Sequence, residues 1–419
     1  MGVSPAGAGP AGSGQGALMP RGHEYEIVVV GGGPAGLAAA LAAVKAGAES
    51  VALIERRAEW GRPVRCAEYV PRMLARQIEI PPAAIARRVE RMDFFENGKA
   101  IGSQRAPGFI LHRDVFEAAL AQRAAERGVA IYQPARAAAI HEDGRIALQP
   151  AGQSGPVGQV RPVRPVQCVQ PVQPVQTSAL APRNEQFQTL RARFIIGADG
   201  PNSIVRRSLF HNRLRFAGAL QWTMKAGEVP CEAEIHFAPE YGAGYAWCFP
   251  KGASVNVGLA LHGHRKQYLE PLLRAFVAGL LRSGRISPGK ASLAQTNAGK
   301  TAAGHVLRRT AGVIPVSGPI SSAVHGRAIL CGDAAGHAHP LTGAGIFTAI
   351  SCGQMAGAVA AKALRRNDPS LLAMYDDQWQ SLFSGFLTRG AKAVGSVETA
   401  GAEFWAGKIR RAWAIKPLG

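Results

Sequence analysis

Gly31, Gly33 and Gly36 stand at G-x-G-x-x-G spacing, directly after the apolar run Ile27–Val30 and before an alanine- and leucine-rich stretch that ends at Gly47. Strand, glycine turn and helix in that order make a backbone cradle for a pyrophosphate. Gly31 permits the tight turn, Gly33 lets phosphates approach the main chain, and Gly36 lets the helix pack on the strand. Ala35 falls in the first helical turn, where unpaired N–H groups favour an anion. Val51–Ile54 reads as a second buried strand. Glu55 closes it, 24 positions after Gly31, where a carboxylate accepts hydrogen bonds from an adenosine ribose; Arg56 adds a cation there.

Two later segments repeat the pattern of a strand running into glycine and carboxylate. Phe194–Arg206 (FIIGADGPNSIVR) places Asp199 and Gly200 at a strand end, and Ala328–Ile350 (AILCGDAAGHAHPLTGAGIFTAI) places Gly332 and Asp333 at another. In the latter, Gly343, Ala344, Gly345 and Ile346 open a long helix whose N-terminus faces an anion. In a flavin site it would stabilise the reduced ring, with Asp333 on the ribityl chain. Arg113, at the start of an amphipathic helix over 112–127 with Val115, Phe116, Ala119 and Leu120 on one face, is placed to reach cofactor phosphates. His337 and His339 lack a recognisable third ligand and read as loop residues rather than a metal site.

The loop Gly61–Glu68 (GRPVRCAE) sets one thiol, Cys66, beside Arg62 and Arg65, which would lower its pKa. Cys66, Cys168, Cys231, Cys248, Cys331 and Cys352 show no C-x-x-C pair, which fits a reducing, cytoplasmic setting. The formal net charge of +20 favours polyanionic partners. No stretch combines dense Lys/Arg with stacking aromatics, so the expectation is no nucleic acid but an affinity for an anionic membrane surface, peripheral on its inner face. No apolar run of ~18 residues is present.

The 419 residues leave room for two or three domains. Residues 1–22, rich in Gly, Ala, Pro and Ser, are expected to be a disordered tail. Asn97-Gly98 marks a type I′ hairpin turn within 91–101, outside any dinucleotide-binding half. The triplet array 160–177, within an insert at 158–179, is confined by proline to extended conformation and reads as a hairpin loop between the strands 145–148 and 190–196. Asp368-Pro369 starts a C-terminal helix with Leu372, Tyr375, Trp379, Leu382, Phe383 and Phe386 on one face. Trp405, Ile409 and Trp413 sit at helical spacing among basic residues in the tail 404–416, either as an interfacial anchor or packed on the body.

GGGPAG with Glu55, GADG at 197–200 and GDAAG at 332–336 resemble, in that order, the FAD-dependent p-hydroxybenzoate hydroxylase superfamily over roughly residues 24–365. The resemblance implies an α/β fold: a Rossmann-type FAD-binding domain (24–90, 108–200 and 325–365) interleaved with an antiparallel β-sheet substrate domain (91–107 and 201–324), plus C-terminal helices over 366–419. It implies no separate nicotinamide domain, and there is no second G-x-G-x-x-G unit. Tyr245-Ala-Trp247-Cys-Phe249-Pro250 resembles the Y-x-W-x-F-P motif of geranylgeranyl reductases, and Pro63–Glu68 resembles their cysteine loop, although Gly242 stands where the family has Pro.

An isolated trisubstituted alkene is a poor hydride acceptor, so its reduction needs a proton as well as a hydride from flavin N5. Tyr245, Trp247 and Phe249 are candidates to stabilise the incipient cation, and Cys66 or Glu68 to supply or relay the proton. The implied cofactor is FAD, with NADPH or another reductant as electron donor, and the implied substrate an isoprenoid small molecule. The alternatives are an aromatic-ring monooxygenase and an electron carrier to a quinone. No feature of the sequence sets an oligomeric state.

Overall fold

The computed structural model describes residues 24–150, 188–287 and 306–400, in two eight-stranded sheets with helices around them. The N-terminal tail, the triplet array and the basic aromatic tail lie outside the described residues. The first sheet is centred on β1 (Glu24–Val30), whose last four residues are buried, as a strand covered on both faces requires. It pairs in parallel with β2 (Val51–Ile54) and β9 (Thr189–Gly197), and these pair in turn with β6 (Ala130–Tyr132) and β16 (Ala328–Leu330). The hairpin β7 (Ala135–Ile140) and β8 (Arg145–Pro150) joins β9 antiparallel, and β15 (Val324–His325) edges β16.

Two helices with small faces cover this sheet: α1 (Pro34–Lys45) and α4 (Ile346–Arg366). A Cβ on Gly353 would meet the Ala35 carbonyl oxygen at 2.2 Å, and one on Gly357 the Ala39 carbonyl oxygen at 2.1 Å. Contact between the two backbones therefore depends on glycine. The matching order of the contacts shows that the helices run in the same direction. With ~1.5 Å of rise per residue, α4 begins ~10 Å before the level of Ala35, so the two N-termini are staggered along one line.

The second sheet runs β14 (Val306–Pro315), β10 (Phe216–Lys225), β13 (Ser254–Leu261), β12 (Tyr245–Lys251), β11 (Ala233–Phe237), β4 (Ile85–Glu96), β5 (Lys99–Leu111) and β3 (Tyr69–Pro71). It is antiparallel except where β4 and β11 pair in parallel. The hairpin β4–β5 turns at Asn97 and Gly98, with φ of 50° and 77° as a type I′ turn needs, but its strands span 85–111 rather than 91–101. Along β12 the period-2 alternation divides two cores. Tyr245, Trp247 and Phe249 face one with Leu341 and Val394, while Ala246 and Cys248 face the other, beneath α3 (Leu269–Arg282).

Two helical faces differ from expectation. In α2 (Arg113–Glu126) the buried positions are Phe116, Glu117, Leu120, Ala121 and Ala124, while Val115 is exposed. After Asp368, whose side chain accepts from Ser370 N–H, the chain forms α5 (Met374–Trp379), one π-helical turn over Gln380–Ser384, and α6 (Gly385–Ala400). The wider turn rotates the stripe, so Phe383 and Leu387 are buried while Leu382 is 41% exposed.

Candidate active site

The three glycines of the first motif have separate roles. Gly31, at φ 104°, lies so near β9 that a Cβ would sit 2.4 Å from the Ala198 carbonyl oxygen; a Cβ on Gly36 would lie 1.8 Å from that of Gly31. A Cβ on Gly33 meets nothing within 4 Å, so this glycine keeps space open rather than closing a contact. Gly200 faces open space in the same way. Neither α1 nor α4 has a side-chain cap or an acidic residue in its first turn, which leaves the N–H groups of Ala35, Gly36 and the α4 start for an anion.

The later motifs close on this corner. Cys331 N–H donates to the Gly197 carbonyl at 2.9 Å, and Arg206 Nη1 donates to the Ala334 carbonyl at 2.9 Å. A Cβ on Gly332 would stand 3.0 Å from Ala35 Cβ. Asp199 accepts from Ile204 N–H at 2.6 Å through Oδ2, and its buried Oδ1 has no partner. Burial raises the Asp199 carboxyl, and it raises that of Asp333 against the opposing pull of Arg113. Glu55 receives Gly32 N–H at 2.8 Å and three donors of Arg57. Burial opposes its ionisation, but these bonds outweigh it and hold the carboxyl below its ordinary value. Arg56 is exposed; Arg57 is the cation at this carboxylate.

These features fit FAD. The open backbone at Gly33 and the α1 N-terminus suit the pyrophosphate, Glu55 suits the ribose, and Asp333 suits the ribityl hydroxyls. Gly343, Ala344, Gly345 and Ile346 open α4 and would offer its N-terminus to the ring system.

The cysteine loop and the aromatic strand meet beside the flavin loop. Tyr245 O–H donates to the Thr342 carbonyl, tying β12 to the segment that opens α4. Trp247 Nε1 donates to Gln221 Oε1 at 2.9 Å, and Gln221 Nε2 donates to the Cys66 carbonyl at 2.9 Å. That reach depends on Gly258, which stands between the two in register: a Cβ there would lie 2.1 Å from Trp247 Cζ2. Phe249 meets Tyr69 edge to face at 6.3 Å.

Glu68 is fully buried at φ 73°, a left-handed conformation that costs a non-glycine residue about 1 kcal/mol or more. Three donors hold it: Lys251 Nζ, Asn256 Nδ2 at 2.8 Å and Arg113 N–H at 3.0 Å. Cys66 is half-buried, and its Sγ accepts Glu68 N–H at 3.2 Å. Burial pushes its thiol up, contrary to the expected lowering; Arg113 pulls the other way, whereas Arg62 is engaged by Glu59 and Asp114.

His337 and His339 are buried and neutral, pushed down to about 3 and about 4 by burial. Among the described residues no group of three potential ligands surrounds them. Glu117, Gln221, Lys251, Asn256 and Gly258 were missed by motif spacing. Two left a trace: Glu117 is four residues after Arg113, and Lys251 continues the period-2 face of Tyr245, Trp247 and Phe249.

The family described as FAD binding domain matches residues 24–226. Digeranylgeranylglycerophospholipid reductase 1 of Methanopyrus kandleri is 31% identical over 86% of this chain and 87% of its own. The chain belongs to the geranylgeranyl reductase family. The corresponding reductase of Methanocaldococcus jannaschii is 28% identical, over 85% of this chain and 82% of its own. In fold, the reductase resembles a geranylgeranyl bacteriochlorophyll reductase-like protein of Thermoplasma acidophilum, with TM-score 0.72 and 24% identity over 94% of this chain and 92% of that one. The reductase is thus an FAD-dependent oxidoreductase.

Proposed function

We propose that this protein hydrogenates carbon–carbon double bonds in the isoprenoid chain of a lipid; its relatives are named as reductases of a digeranylgeranylglycerophospholipid. The observation that carries the reading is the Tyr245–Thr342 bond, which sets the Tyr245, Trp247 and Phe249 face of the second sheet against the flavin loop. Bound FAD, once reduced, supplies the hydride. The aromatic face supports positive charge at the alkene by ring quadrupoles, while Leu341 and Val394 beside it keep water out. Cys66 is the proton donor: burial keeps its thiol protonated, whereas the carboxylate of Glu68 is occupied by three donors. The reducing equivalents come from NADPH or another external reductant.

The test is anaerobic. Chemically reduced enzyme with geranylgeranyl lipids is expected to add two hydrogens per double bond by mass, and Trp247→Ala to impair this while leaving FAD bound. Oxygen incorporation without saturation would move the protein to the hydroxylases. No helix among the described residues is long and apolar enough to cross a membrane. The lipid substrate and net charge of +20 instead favour peripheral docking, expected as salt-sensitive binding to anionic but not neutral vesicles.

A further inference from the structure

A partly buried line of charge joins the nucleotide corner to the loop that carries the thiol. Glu55 accepts from Arg57 Nε at 3.0 Å, and Arg57 Nη2 also donates to Glu117 Oε2 at 3.1 Å. Glu117 is fully buried on the apolar face of α2, and its Oε1 accepts from Arg113 Nε at 2.6 Å. Arg113 ends the line beside the thiol: its main-chain N–H donates to Glu68 Oε1 at 3.0 Å, the Glu68 N–H donates to the Cys66 sulfur at 3.2 Å, and the guanidinium charge acts on that sulfur. Buried ion pairs add little net stability, because desolvation offsets their attraction. This arrangement does restrict where a planar guanidinium points: its Nε is fixed on Glu117, which holds the charge of Arg113 in the corner of the thiol. The other charged or titratable groups facing Cys66 are Glu68 of its own loop, balanced by Lys251, and Tyr245 of β12; Asp333 faces Arg113 from the flavin loop.

We infer that Arg113 stabilises the thiolate left when Cys66 gives up its proton, and that Glu117, steadied by Arg57, is the positioning residue that aims it. The inference rests on the proposed role of Cys66. In that step the S–H bond breaks, its electron pair stays on sulfur, and the proton forms a C–H bond on one alkene carbon. The hydride from reduced FAD adds to the other carbon. Water then reprotonates the thiolate, and NADPH or another external reductant returns two electrons to the flavin.

Alkylation of Cys66 by iodoacetamide, followed as a function of pH by peptide mass spectrometry on the flavin-loaded protein, reads the thiol without turnover. Arg113→Met leaves Glu117 paired with Arg57 and is expected to move the midpoint up by roughly 1–3 pH units. Arg113→Lys keeps the charge but not the fork, and is expected to move it up by less. Glu117→Asp keeps the charge and changes its reach, so a rise there supports positioning. Glu117→Gln is also expected to raise the midpoint, although loss of a negative charge alone would lower it. An unchanged midpoint in Arg113→Met overturns the inference. With Arg113→Met shifted, an unchanged midpoint in Glu117→Asp, or a lower one in Glu117→Gln, overturns the positioning role. Full turnover in Cys66→Ser would instead remove the proton-donor reading and leave these midpoints as measured, so the two failures are distinguishable.

Discussion

At the nucleotide corner the decisive positions are glycines, and at the thiol corner they are paired polar side chains. Gly31, Gly36, Gly353 and Gly357 let backbones touch, and Gly33 keeps a space clear. Glu68, Lys251, Asn256, Gln221 and Trp247 instead fix one another by hydrogen bonds across four separate segments. The first corner is therefore broken by adding atoms. The second is broken by removing a partner.

The largest effects should come from the glycines and should separate packing from binding. Gly36→Val is expected to prevent folding, since a Cβ already overlaps the Gly31 carbonyl. Gly33→Val has room for its side chain, so it should fold but purify colourless, with its circular dichroism spectrum retained and no flavin released on denaturation. Normal FAD content in Gly33→Val would mean that the open space is not the pyrophosphate cradle.

Next in size is the thiol corner. Lys251→Met leaves Glu68 buried without its cation and should cost about 3–5 kcal/mol in urea denaturation. The double variant with Glu68→Gln should recover much of that loss. Equal losses in the single and double variants would show that Lys251 matters for its packing instead.

Gly258→Ala tests a place where the thiol corner also depends on a missing side chain. Trp247 must leave Gln221, for an expected cost of about 1–3 kcal/mol. A shift in tryptophan fluorescence should accompany the loss of stability. Unchanged fluorescence and melting temperature would mean that the strand yields rather than the indole.

The smallest effect is one of pH. The carboxyl of Glu55 is held below its ordinary value of 4.5, so the stability it contributes is complete above that value and is lost as pH falls through the lowered one. The difference in melting temperature between wild type and Glu55→Gln should shrink on acidification. A difference that grows would contradict the assigned bonding.

The nucleotide corner was legible because its signals are local. A glycine's place in a strand-turn-helix unit follows from a dozen neighbouring residues, so the places of Gly31, Gly33, Gly36 and Glu55 in that unit could be read from spacing alone. Spacing failed even there for side chains: Arg56 and Arg57 are adjacent, and only the fold shows that Arg57 turns inward. Periodicity likewise found the helix at 112–127 but placed Val115 on its apolar face, since a buried Glu117 looks polar until its two arginines are known.

By itself the sequence determined the strand and helix order of the nucleotide-binding unit, the three cofactor segments, the Asn97-Gly98 turn and the alternating face of Tyr245, Trp247 and Phe249. Each of these follows from backbone preference or from a period of 2 or 3.6 residues. Only the tertiary structure decided which groups meet at the cysteine loop. Cys66, Arg113, Gln221 and Asn256 are tens of residues or more apart in the chain. The bonds that join them depend on strand register, on Gly258 leaving a path for an indole, and on which way each guanidinium turns to find a carboxylate. Burial then reversed the sign expected for the thiol, because desolvation depends on what surrounds a group in space and not on its neighbours in sequence.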